Sequence, residues 1–199
     1  MLGAIKYNLS HLLDFSGRDA RQTFWYYVLF LVLLNYLIGM LTAIPLMVGM
    51  MDTVFTAARS GASEDEVQAM MTGQMSGMMG GIVWVSVVTS VLMALLLLAA
   101  FVRRLHDSNK SGWWAILPLA AKLFGIVVAI RTMEIMPQML EEMMAAQRDH
   151  ASPLGMLHYQ SEFIGYGLIG WIGPLLVIVF GVMKSTDGPN RYGEAPVRF

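Results

Sequence analysis

Four long apolar stretches constrain this chain more than any other feature: Phe24 to Val48, Gly80 to Val102, Trp113 to Ile130 and Phe163 to Met183. At about 1.5 Å rise per residue, each as a helix approaches or exceeds the roughly 30 Å of a bilayer's hydrocarbon core. Hydrophobic residues make up 56% of the chain and charged residues only 14%, against about a quarter charged in soluble domains, so lipid is the expected solvent. The four runs consume nearly half of the 199 residues and leave no segment that can build a core of its own. The expectation is one all-α integral membrane domain over residues 1–199, a polytopic transmembrane four-helix bundle. The third run is short and carries Lys122 at its middle. Because 23 mixed residues precede the first run, without the layout of a cleavable leader, that run is expected to be retained as a span.

Orientation follows from the basic residues flanking the runs. Lys6, Arg18 and Arg21 precede the first, Arg103, Arg104 and Lys110 lie between the second and third, and Lys184, Arg191 and Arg198 follow the fourth. The other two connections hold only Arg59, Arg131 and Arg148 and carry nine of the fourteen acids. A nine-to-three split places both termini on the cytoplasmic side and requires an even number of crossings. Trp25, Tyr26 and Tyr27, Trp84, and Trp113 with Trp114 lie near run ends, where amphipathic rings prefer the headgroup zone. The net charge of −1 gives no argument for nucleic acid as a partner. The absence of cysteine excludes disulfides, thiolate nucleophiles and cysteine-ligated zinc or iron-sulfur centres.

The two acidic connections are expected to be partly helical. Ser63 and Glu66 have capping-box spacing, and Pro137 is suited to begin a helical turn. Met70, Met71, Met75, Met78 and Met79, then Met133, Met136, Met139, Met143 and Met144, recur every three or four residues and give each connection an apolar stripe. Packing or membrane-surface contact is the expected role of that stripe, with thioether capture of a soft ion such as Cu(I) as the competing one. His150 and His158 are too isolated to favour the latter.

Three segments on the basic side combine glycine, arginine and aromatic residues. The first contains Gly17, Arg18, Arg21, Phe24 and Trp25; its arginines are spaced one helical turn apart, which suits an interfacial helix entering the membrane. The second contains Arg103, Arg104, His106, Asp107, Lys110, Gly112, Trp113 and Trp114, and reads as a tight turn whose cations neutralise lipid phosphates or the last carbonyls of the second run. The third, Asn190, Arg191, Tyr192 and Gly193 within a turn-rich tail, is expected to be ordered only if it docks.

Written as patterns, these segments are FSGRxxRxxFWYY, RRLHDxxKSGWW and GPNRYGxxP. In this order around the apolar runs they resemble the bacterial inner-membrane family known as domain of unknown function 805. The resemblance covers nearly the whole chain, and the Met-rich connections look like additions to a more compact family pattern. It implies a fold and a location in the inner membrane; the family has no established activity to transfer.

All seventeen residues named in the three segments are candidates for a cytoplasmic surface that binds membrane lipids, anionic ones above all, or a membrane-protein partner or second copy of the chain. Each basic residue near an anionic surface contributes about 1 kcal/mol. Read this way, the protein is a non-enzymatic interaction or regulatory module with no cofactor, no metal site and no catalytic residue. Two alternatives compete. Lys122 costs about 2.5 to 3.5 kcal/mol at midspan on insertion scales, and with Asn35, Ser86, Thr89, Ser90 or Tyr166 as polar neighbours it suits a pathway for a small solute or ion. His106 beside Asp107 suits a lipid-headgroup enzyme, but adjacent residues point in different directions and stabilisation of the turn, with Asp107 accepting from Arg104 or the backbone, is the expected role.

Overall fold

The computed structural model of the protein describes residues 1–148, 168 and 170–196. The helices are α1 (Leu2–Ser10), α2 (Arg21–Ser60), α3 (Glu64–Asp107) and α4 (Ile116–Arg148), followed by a shorter apolar helix, α5 (Gly170–Val182). A 3-10 turn, Gly112–Ala115, leads into α4. Among the described residues there is no strand, only an isolated bridge between Asn190 and Gly193. Three helical stretches are long and apolar enough to cross a membrane, Arg21–Ser60, Gly80–Asp107 and Gly112–Glu134, and this is a membrane-type helical protein. Of the expected fourth run, residues 163–167 and 169 lie outside the described residues, as do His150, His158, Tyr166 and Arg198.

The first acidic connection, and the second as far as Arg148, are helical because the long helices run into them. α2 stops at Gly61, whose left-handed φ of 65° a side chain would resist and whose N–H bonds the Ala57 carbonyl. Only Ala62 and Ser63 then precede α3, which starts on a complete capping box: the Glu66 N–H donates to Ser63 Oγ, and the Ser63 N–H donates to Glu66 Oε2 at 2.9 Å. α2 and α3 are therefore an antiparallel pair extending past the apolar runs, tied across by the Thr53 hydroxyl and the Gln74 side chain. Pro137 begins no new helix, because α4 continues through it to Arg148.

Burial is concentrated at one end of the helices. Phe24, Tyr27 and Leu31 of α2 meet Ala100, Phe101, Val102 and Leu105 of α3 and Ala115 of the 3-10 turn, with Trp25 and Phe180 packed against them. Phe101 sits edge-on to Phe180 at 6.1 Å, and the Tyr27 hydroxyl donates to the Leu96 carbonyl at 3.1 Å. Farther along, Tyr36 and Leu95 are exposed, as expected of helices whose outer faces meet hydrocarbon rather than water.

Candidate functional site

The buried end holds a knot of ion pairs, and the junction of α3 with its turn is its centre. Arg103 and Arg104 are consecutive on a helix and so leave it about 100° apart. Each clasps the end of a different helix. Arg103 donates from Nη1 to the carbonyls of His11 (2.9 Å) and Asp14 (2.5 Å), from Nη2 to Asn8 Oδ1 (2.7 Å) and from Nε to Asp19 Oδ1 (3.1 Å), while its guanidinium lies 5.5 Å from the Tyr7 ring centre. It thereby caps α1 and fixes the strap between α1 and α2. Arg104 donates from Nε to the Gly181 carbonyl at 3.0 Å and from Nη2 to the Met183 carbonyl, covering carbonyls at the C-terminal end of α5.

Asp107 supplies the counter-charge. Its Oδ2 accepts from Arg104 Nη1 at 2.6 Å and the Ser185 hydroxyl at 2.5 Å, and its Oδ1 accepts from Arg18 Nη2 at 3.0 Å. Arg18 continues into the tail, donating to the carbonyls of Thr186 (2.9 Å), Gly188 (2.7 Å) and Gly193 (3.3 Å). The last carbonyls of α3 find donors the same way: Asp19 N–H to Arg103, Asn190 Nδ2 to His106 and Thr186 N–H to Asp107. Sequence separations of 77 to 175 residues are closed in one place. His106 stacks on Tyr192 at 3.8 Å with ring planes 5° apart, its Nδ1 faces the Gly17 carbonyl at 3.2 Å, and the Arg191 guanidinium lies 4.7 Å from the Tyr192 ring centre.

Several expectations are corrected by this geometry. Arg18, Arg103 and Arg104 retain only 6%, 1% and 0% exposure, and Asp107 0%; these groups are saturated by protein partners and do not face lipid phosphates. Phe24 is likewise fully buried in the core. Arg18 and Arg21 do not share a helical turn, because Gly17 at φ +79° leaves the strap extended and α2 begins only at Arg21. Gly112 serves close packing: a Cβ there would sit 2.9 Å from Val102 Cγ1 and 3.3 Å from His106 Nε2. His106 and Asp107 form no dyad, since the carboxylate is occupied by two arginines and a serine. The side chains that remain exposed are Arg21, Lys110, Trp113, Trp114 and Arg191; Trp25 is half-buried, as are Asn190 and Tyr192.

Asn8, Asp19 and Ser185 belong to the knot and were not among the expected site residues. Asp19 was readable in principle, as one of the three acids inside the motifs, with Asp107 and Glu194. Its Oδ2 is buried without a hydrogen-bond partner, and burial lifts its carboxyl above the ordinary carboxylate range despite the attraction of Arg103. Asp14, by contrast, is held below that range by the Ser16 hydroxyl and N–H.

The three motifs thus converge in space and not merely in order, and the match to a known family spans them all, residues 12–194. The chain belongs to the DUF805 family. DUF805 is described as a protein of unknown function, so membership carries no reaction with it. No curated protein and no solved structure matches the chain. The DUF805 match begins just after α1 and ends within the docked tail, which are the two segments that the arginines fasten to α3.

Beside the knot is a polar cleft of about 420 Å³ between the start of α2 and the tail, bordered by Arg18, Arg21, Gln22, Lys184, Thr186 and Gly188. Arg21 and Lys184 are exposed there, and Lys184 has only an exposed pairing with Asp187 at 3.3 Å. On the apolar side, Lys122 is half-buried between helices. Asn35 is exposed and borders neither cavity at Lys122; Ser86 and Ser90 do.

Proposed function

We propose that this protein is a non-enzymatic module of the bacterial inner membrane, crossing it four times with both termini cytoplasmic, which binds anionic lipid headgroups at the rim of its arginine knot. The observation that carries this reading is the division of labour among the cations. Three arginines are spent internally, so the basic side is a folded body rather than a loose basic segment, while Arg21 and Lys184 project into the polar cleft beside it. An exposed pair such as Lys184 with Asp187 contributes little to stability, about 0 to 1 kcal/mol, which leaves the ammonium available to a phosphate. Exposed Trp113 and Trp114 suit the headgroup level at which such a cleft would meet lipid. A saturated Asp107 and a stacked His106 offer no acid-base pair, which favours binding over headgroup chemistry.

The test is lipid retention in native mass spectrometry after reconstitution with equal zwitterionic and anionic phospholipid. The wild type should retain the anionic species selectively. With each cation near an anionic surface contributing about 1 kcal/mol, the double variant R21Q/K184Q should lose roughly 25-fold in that selectivity. An undiminished preference in the double variant would remove the proposal.

A further inference from the structure

A second cavity, of about 390 Å³, lies between α2, α3, α4 and α5, and among the described residues its lining apart from Ser90 and Lys122 is apolar or aromatic, including Trp25, Leu97 and Val177. It is rimmed by Val32 and Ile178, both exposed on the apolar outer surface, so its mouth opens where hydrocarbon would be, not at the polar end. A smaller cavity of about 150 Å³ adjoins it and shares Ser90, Lys122 and Gly173. A Cβ at Gly125 or Gly170 would meet nothing within 4 Å, and one at Gly173 would make ordinary contact with the Pro118 carbonyl oxygen at 3.4 Å.

Lys122 is the charged residue common to both cavities, and among the described residues no acidic one lines either. Among the described residues it makes no hydrogen bond or ion pair. The contrast with Arg18, Arg103 and Arg104, each satisfied several times over, is the informative point. A lysine stem is long and flexible enough to swing its ammonium between the two spaces. What is missing at its tip is an anion, and the space beside it is hydrocarbon-lined and within the size range of ligand sites.

We propose that Lys122 and this cleft bind a single-chain carboxylic acid drawn from the surrounding bilayer, its carboxyl group at Lys122 and its alkyl chain along Leu97 and Val177. Charge complementarity selects an acidic head. Access selects a carboxylic acid over a phosphate ester, because the protonated acid is uncharged and crosses hydrocarbon, whereas a phosphate monoester keeps a charge. The acid gives up its proton to water on binding, and its carboxylate and the Lys122 ammonium form an ion pair with no net charge. A cleft of about 390 Å³ is at the small end of ligand sites and suits one alkyl chain rather than the two chains of a phospholipid. This site is separate from the headgroup cleft and does not depend on it.

The experiment uses the full chain in zwitterionic nanodiscs with carboxyl-labelled dodecanoic acid, followed by carbon NMR. The wild type should show saturable binding of one equivalent with the carboxyl resonance at its ionised position, and dodecanol should compete at least tenfold more weakly. Lys122→Met should abolish the ionised bound signal, and Lys122→Arg should keep it. A94W, which fills the cleft and leaves Lys122 in place, should also abolish binding, with melting curves of all variants establishing that they are folded. The proposal is overturned if dodecanol competes as well as the acid, if K122M retains ionised bound acid, or if the acid partitions without saturation. Selectivity for anionic phospholipid should be unchanged in K122M, which separates failure of this site from failure of the headgroup cleft.

Discussion

At the scale of single residues, the knot depends on the difference between a guanidinium and an ammonium. Arg104 serves Gly181, Met183 and Asp107 from three different nitrogens in one plane, which a compact point charge on a flexible stem does not reproduce. Arg104→Lys is expected to cost about 1 to 3 kcal/mol, read as a lowered melting temperature in detergent. Asp107→Ala should cost more, about 3 to 5 kcal/mol, because it leaves two buried guanidinium groups without a counter-charge; a loss no larger than that of an exposed control such as Asp187→Ala would contradict the assignment of Asp107 as the centre. Asp19 gives the pH dependence its sign. Its carboxyl is raised by burial in the native state, so between its ordinary and its raised pKa the folded protein holds more protons than the unfolded one. Its contribution is complete below the ordinary value and is lost as pH rises through the raised value. Stability of the wild type relative to Asp19→Asn should therefore fall as pH rises across that window, and a relative stability that rises instead would reverse the assigned shift.

At the scale of elements, the tail after α5 behaves as part of the fold. Thr186, Gly188, Asn190 and Gly193 bond to Arg18 or to the end of α3, so cleavage after Asp187 in inverted membranes should be slow in the wild type and fast in Arg18→Gln, whose side chain cannot hold the three carbonyls together. Equal rates in the two proteins would show that docking does not depend on Arg18. Helix contact at the same end needs small residues: a Cβ at Gly181 would lie 2.8 Å from Trp25 Cζ2 and 2.9 Å from Phe24 Cε1. Gly181→Val should thus overpack α5 against α2 and lower stability by about 1 to 3 kcal/mol. The capping box at Ser63 was legible because it is local, and the absence of a break at Pro137 was not, because the alternatives differ only in how the helix continues.

At the scale of the whole molecule, buried residues gather where the motifs meet and thin out along the apolar helices. Lipid tails are as apolar as leucine, so packing and polar clasps, rather than expulsion of water, hold such helices together. The clasp joins α1, the strap, the end of α3 and the tail, and this requires all four on one side. Reporter tags at residues 1 and 199 should therefore give the same cytoplasmic signal under the proposed topology; opposite compartments would refute it. The long apolar helices and the family were readable directly from hydropathy and the three motifs. The site was readable as a set of segments but misread in its exposure, since a sequence gives the charge of Arg103 and Arg104 and not the partners that bury them.

The apolar runs, the helix-start signal at Ser63 and the motif order were determined by sequence alone, because each depends on residues close together along the chain. Which arginines would be consumed and which left free was decided only by tertiary structure. Asp19 and Asp107 reach Arg103, Arg104 and Arg18 once the helices have assembled, and a buried guanidinium is tolerable only where every donor finds an acceptor. The same principle, seen from the opposite side, singles out Lys122: assembly gave it a cavity and, among the described residues, no anion.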